Sequence, residues 1–334
     1  MPFSFAPYLD FESSFFKLSL LALILVLQII LGIILPGQSH KPPHMHWFAQ
    51  RLLAALSQKL NRPNRSKGSL KIRGLLSFLF MALVAWSIAR MAEVLAYSVE
   101  YGWALIVFLV WGTVNIMVPW RAMRGLIAQK TPYEILRKAD ALSDLTGFSF
   151  KEQDGHTVAR AGVFYAGYSM LRYLVAPVLF YYFLGLMGMM FYLFLSASEK
   201  PLDVYLVTPF TRFFALFENI LDFIPARLSC FVLYIAAFIT PTAHPQQMLK
   251  MIFDGGQKFP GLSLSVIFKG FTGAVHTSLG GAVVYQSGQK ILLPWIGPKA
   301  ASAQAGVAEI KRAFLLHIYC TVLVLLLILA MLAV

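Results

Sequence analysis

The chain has 334 residues, of which 58% are hydrophobic and only 13% charged, with a mean hydropathy of +0.69. A soluble domain carries about twice that charged fraction, so the composition excludes an ordinary soluble protein and predicts an integral membrane one. The net charge of +13 then reads as basic loops beside anionic lipid headgroups rather than as a nucleic-acid surface.

Residues 1–17 carry Asp10 and Glu12 and lack the basic flank of a signal peptide. No small-residue cleavage site follows the first apolar run, which is therefore expected to be retained as a span. A helix needs about 20 apolar residues to cross a bilayer. The candidate stretches are 18–35, 75–97, 103–118, 171–195, 224–240 and 313–334, the third and fifth being short. The predicted fold class is an all-α, multi-pass membrane protein, a single domain over 1–334 with about six transmembrane helices and amphipathic cytoplasmic helices. Tyr97, Trp103, Trp120 and Tyr192 lie near predicted ends, where interfacial anchors are expected. After the first span, Phe48, Leu52, Leu56 and Leu60 recur at helical spacing and predict a helix on the membrane surface, broken by Asn61 to Arg65. After the third, Thr131-Pro132-Tyr133-Glu134 predicts a capped helix that closes before Gly147. The Gly-rich, apolar stretch 261–297 either dips into the membrane or packs on the bundle.

Charge sets the expected topology. Residues 37–73 hold eight Lys/Arg and no acid, while 120–160 and 241–312 hold seven Lys/Arg each. The opposite side keeps only Lys17, Lys200 and Arg212. The three long connections are expected in the cytoplasm and both termini outside.

The chemistry-bearing candidates cluster near Leu221–Leu228. Asp222, Pro225 and Arg227 stand at the mouth of the fifth predicted span, and Glu218 shares a helix face with Asp222. Ionisable groups at membrane depth cost at least ~2.5 kcal/mol each, so they pair or line polar cavities. Arg90 is expected to pair with Glu93. Arg172 has no acid within four residues and is expected to meet Glu218 or Asp222 across the bundle, or to bind an anion such as phosphate. His40, His44 and His46 lack a nearby carboxylate or thiolate, so a surface role is favoured over metal binding. His276 and Ser278, one residue apart, are a weak pattern for a nucleophile–base pair. Cys230 and Cys320 lie in apolar segments and predict neither a disulfide framework nor a zinc site. No phosphate-loop, dinucleotide-binding or zinc-protease motif occurs.

The run Ile224-Pro225-Ala226-Arg227-Leu228 after an acidic helix resembles the CobD/CbiB family, the membrane synthase of cobalamin biosynthesis. His44 with Leu52, Leu53 and Leu56, the basic stretch from Arg65 to Gly74, Ala176-Pro177 before Phe180-Tyr181-Tyr182, and His276-Thr277-Ser278 are similar to further family segments in the right order. The family's Glu-Asn-x-x-Asp-Gly motif is replaced here by Tyr168, Ser169, Arg172 and Tyr173, and a later Asn-Thr-Leu-Asp by Ser196, Ala197, Ser198 and Glu199. The resemblance implies a bacterial inner-membrane protein. Its synthase reaction would require ATP and Mg²⁺, and an arginine in place of an acid repels the metal. The AmpE branch, linked to β-lactamase induction, has likewise lost those acids. No cofactor is therefore expected unless the synthase reading holds.

Two functions follow. One is an AmpE-like binding, regulatory or signalling protein in which Arg172, Asp222 and Arg227 line an anion pocket or a partner interface. The other is a synthase that joins aminopropanol phosphate to adenosylcobyric acid through Glu199, Glu218 and Asp222. The replaced motifs favour the first. Besides the anionic bilayer, the expected partner is a protein in the first case and a corrinoid in the second.

Overall fold

The long apolar runs form helices because lipid offers the backbone no alternative hydrogen-bond partner. A computed structural model describes residues 13–35, 41–62, 64–151, 153–197, 207–254 and 262–334. Helix α1, Ser14–Ile34, starts under the cap of Ser13, whose hydroxyl accepts the Phe16 N–H. Helix α2 is His44–Leu60 and α3 is Lys67–Ser98. Two shorter helices, α4 (Trp103–Thr113) and α5 (Met117–Ile127), together make the third crossing. Among the described residues, five helical stretches are long and apolar enough to span a membrane, and six if one bent pair is counted. The chain is an all-α multi-pass membrane protein.

Helix α2 exists where periodicity places it, but its face is rotated. Met45, His46, Ala49, Leu53 and Ser57 are buried, while Phe48 points outward. This helix packs into the bundle against α3 and α4. The capped helix at Thr131 is split in two. Helix α6 covers Pro132–Arg137, and α7 covers Asp140–Thr146, ending on Gly147 with φ 79°. Thr131 caps the Glu134 N–H, and the Glu134 carboxylate reaches back to the Lys130 N–H at 2.8 Å.

The fourth crossing starts much earlier than hydropathy suggests. Helix α8, Gly155–Ser169, is capped by Asp154, whose carboxylate accepts from the Thr157 N–H at 2.7 Å and the Thr157 hydroxyl at 2.6 Å. It runs through a π-helical turn, Met170–Val175, into α9, Ala176–Leu195. Helix α9 is not one straight rod. At Gly185 the backbone is left-handed (φ 67°, ψ −162°), and the rings of Phe180 and Tyr192 stack 4.7 Å apart. Twelve residues of straight helix would separate them by about 18 Å. The chain therefore doubles back at Gly185, and the predicted segment 171–195 is the end of one crossing followed by a returning half-helix. A Cβ on Gly185 would meet only Lys17, which puts this tip beside the start of α1.

Helices α10 (Arg212–Leu221) and α11 (Phe223–Ile239) are bent by 49° at Asp222. Pro225 supplies no N–H to the Leu221 carbonyl, which accounts for a bend at this place. Helix α12, Pro245–Phe253, and the apolar α13, Leu262–Val275, follow. Helix α13 packs on α8, α11 and α12, so this part of the Gly-rich connection belongs to the bundle. It leads into an antiparallel hairpin of β1 (Leu279–Val284) and β2 (Lys290–Ile296). The last crossing is α14, Val307–Leu332.

Segments 120–160 and 241–312 bind one another and the end of α1. Arg124 binds the Gly32 carbonyl at the end of α1 at 2.6 Å, and Arg160 binds the Ala303 carbonyl at 2.6 Å. Arg312 donates to the Thr242 hydroxyl at 3.1 Å, and Phe148 pairs with Tyr285 of the hairpin.

Candidate functional site

Two interruptions of regular helix meet inside the bundle. Between α4 and α5, residues 114–116 leave backbone groups without helical partners, which is tolerated in lipid only where other protein groups replace them. Gln28 of α1 replaces two at once. Its amide donates to the Val114 carbonyl at 2.7 Å, and its carbonyl accepts the Ile116 N–H at 2.8 Å. His46 of α2 donates from Nε2 to the Thr113 carbonyl at 3.0 Å. The Asn115 N–H goes to the Tyr173 carbonyl at 2.8 Å. That carbonyl is available because the residue four positions on, Pro177, has no N–H; the same gap explains the wider π-helical turn.

The π-turn carries Arg172, and the fold-back at Gly185 brings Tyr192 and Ser196 beside it. Arg172 Nη1 lies 3.3 Å from the Tyr192 hydroxyl and 3.5 Å from the Ser196 carbonyl. Its Nη2 bonds the Glu218 carboxylate and lies 2.8 Å from Asp222 Oδ2. The Tyr192 hydroxyl donates to Asp222 Oδ1 at 3.0 Å. Arg172 is 2%, Glu218 6% and Asp222 1% exposed, so the cluster is sealed from solvent. The Tyr168 and Tyr192 rings flank the guanidinium at 6.0 and 5.7 Å. His46 adjoins the cluster through the Tyr173 ring, 4.5 Å between centroids. Burial pushes its imidazolium down to about 3; the Thr113 carbonyl opposes this and Arg172 adds to it. His46 is thus a neutral hydrogen-bond donor.

A second buried relay lies one turn away. Trp120 Nε1 donates to His317 Nδ1 at 3.0 Å, and His317 Nε2 lies 3.2 Å from Ser169 Oγ. Indole is a donor only, so Nδ1 must accept and the proton sits on Nε2. His317 then donates to Ser169, which donates to the Ala166 carbonyl at 3.1 Å. A histidine in this tautomer cannot take the serine proton. The pair ties α5, α8 and α14 together and is not a nucleophile–base couple. Trp120, expected as an interfacial anchor, is buried here, as is Tyr192; Tyr97 and Trp103 remain exposed.

The other sequence candidates stand apart from Arg172. Arg227 is exposed, with its guanidinium 3.5 Å from the Phe223 ring centroid and bonded to the Phe223 carbonyl at 2.7 Å. Arg90 and Glu93 pair at 2.8 Å, as their spacing implies. His276 faces His244, 5.0 Å between ring centroids, whereas Ser278 Oγ donates to the Ala301 carbonyl at 3.2 Å. His44 and His46 diverge, one exposed and one buried. His40, Ser198, Glu199, Lys200 and Gly261 lie outside the described residues. Gln28 and Asn115 carry no motif signal, and the sequence points His46 to a surface role and Tyr192 to a span end. Gln28, alone in an apolar span, and Pro177, inside one, were the visible hints.

The family model for CobD/Cbib proteins matches residues 25–317, most of the chain. The chain belongs to the CobD/CbiB family. No curated protein and no solved structure matches it. In a CobD/CbiB synthase, ATP chemistry requires Mg²⁺ held by carboxylates and phosphate oxygens. The carboxylates of the Arg172 cluster do not fit that ion. Both carboxylates of the cluster face one guanidinium, and among the described residues no three His, Cys, Asp or Glu converge.

Proposed function

We propose that this CobD/CbiB-family protein is an AmpE-like binding, regulatory or signalling protein and not a synthase. It sits in the bacterial inner membrane with both termini outside and its basic connections in the cytoplasm. The observation that carries the reading is Arg172 between Glu218 and Asp222. Two of the three acids that the synthase reading needs, Glu218 and Asp222, are held in an internal ion cluster that joins the π-turn to the α10–α11 bend. Such a cluster is suited to holding two helical elements in one arrangement, which a partner or ligand can then bias. A second reading, the synthase, is favoured by the intact Pro225-Ala226-Arg227-Leu228.

Expression in a bacterium lacking its own synthase separates the two. Growth dependent on cobalamin should not be restored on cobyric acid, although the protein is present in the membrane fraction. Restoration would overturn the non-synthase reading.

A further inference from the structure

A cavity of about 340 Å³ opens between the N-terminus of α2 and the α4–α5 break, and Arg172, Glu218 and Asp222 are not among its lining residues. Lys41, His44 and Arg121 line it, and none of its lining residues is an acid. Trp47 and Trp111 form apolar walls, and Lys41 and Arg51 lie 5.9 and 5.3 Å from the Trp47 ring centroid. The α2 N-terminus has Pro43 at its cap and no side-chain cap, so its first N–H groups are left for an acceptor. Asn115 lines the same cavity and is only 5% exposed. Its Oδ1 accepts the Val118 N–H at 3.1 Å, while its Nδ2 donates to no described residue. A buried amide aimed into a cationic cavity without an acceptor marks a place for one.

We propose that this cavity binds a phosphate group, carried by an amphiphile whose apolar part lies along the end of α1. Charge, uncapped helix N–H groups and the Asn115 amide all call for an anion with several acceptor oxygens. The neighbouring surface calls for an apolar tail. Met117 lines the cavity and touches the Gly32 position, and Ile33 and Ile34 beyond it are 62% and 68% exposed. A basic pocket with tryptophan walls is the chemistry that recognises an anionic phospholipid headgroup. The site is independent of whether the protein is a synthase.

The test is thermal unfolding of the full chain in a neutral detergent, titrated with short-chain phosphatidylglycerol, short-chain phosphatidylcholine, sn-glycerol 3-phosphate or inorganic phosphate. The phosphatidylglycerol should raise the melting temperature at concentrations where phosphatidylcholine does not. Lys41→Gln with Arg121→Gln should move the half-maximal concentration up by about tenfold, each protein's shift being read from its own lipid-free melting temperature. Should the double variant fail to fold, Lys41→Gln alone serves, because Lys41 is exposed and precedes α2. A response to phosphatidylglycerol alone assigns the phosphate to a lipid. An equal response to glycerol phosphate or inorganic phosphate keeps the phosphate site but overturns the lipid as its source. Equal responses to both lipids, or a response the variants leave unchanged, would overturn the site.

Discussion

Replacing Arg172 by leucine tests the cluster most directly. The guanidinium contacts both Glu218 and Asp222, and all three are sealed from solvent. Removing one partner of a buried pair costs roughly 3–5 kcal/mol, because the other charge is left uncompensated. Arg172→Leu strands two carboxylates instead of one, so its loss belongs at the upper end of that range. Neutralising one acid is a different perturbation, since it leaves a one-to-one pair. Glu218→Gln should cost about 1 kcal/mol, the size of an ordinary hydrogen-bond loss. Asp222→Asn should cost more, because Asp222 also accepts the Tyr192 hydroxyl. In the Arg172→Leu background the order reverses: each neutralisation should recover stability, and the variant carrying all three substitutions should be more stable than Arg172→Leu alone. The assay is the midpoint of thermal unfolding in mild detergent, read as coupling energies from complete mutant cycles. Losses that simply add in both cycles would refute the three-way contact.

Gly185→Ala forces an L side chain into the left-handed turn at the fold-back and should cost roughly 1–3 kcal/mol, although there is room for the methyl group; an unchanged melting temperature would mean the chain does not double back there. Because the folded pKa of His46, about 3, lies below its unfolded value of 6.5, its contribution is complete above pH 6.5 and is lost as pH falls towards 3. The melting temperature should therefore drop between those values, and His46→Gln should flatten that slope; equal slopes would place His46 elsewhere. Asp154→Ala should cost about 0.5–2 kcal/mol through loss of the α8 cap, with Asp154→Ser recovering most of it, as thermal unfolding of the three proteins would establish.

What the sequence made legible follows a physical rule. Apolar length is a one-dimensional property, so the all-α multi-pass class could be read directly, and so could local pairs such as Arg90 with Glu93. The Thr131 cap was legible for the same reason. Facing was harder. Helix α2 has apolar residues on more than one face, and the choice between Phe48 and Met45 depends on what α3 and α4 leave open. The Gly185 reversal was missed because a left-handed glycine inside an apolar run does not change hydropathy. Its consequence is large: Tyr192, placed at a membrane surface when 171–195 is drawn as a rod, becomes a buried partner of Arg172 and Asp222. Arg172 itself was legible as a charge in need of an acid, since burial without one is prohibitive.

The three charges meet because three helix irregularities cooperate, each made by one residue. Pro177 widens the turn that bears Arg172 and frees the Tyr173 carbonyl for Asn115. Gly185 returns the chain, so that Tyr192 and Ser196 face the guanidinium. The break before Pro225 turns Asp222 to the same place, with Glu218 one turn behind it. None of these is cheap alone, since each interrupts backbone hydrogen bonding where lipid offers no substitute. Together they satisfy one another. Ala176-Pro177 and Pro225-Ala226-Arg227-Leu228, which resemble family segments, thus supply two of the bends that build this junction. A substitution of Pro177 or Pro225 should accordingly displace Arg172 from its acids even though neither proline touches the guanidinium, and the coupling between Arg172 and Glu218 should fall towards zero in a Pro177→Ala background. Full coupling in that background would show that the ion cluster forms without the π-turn.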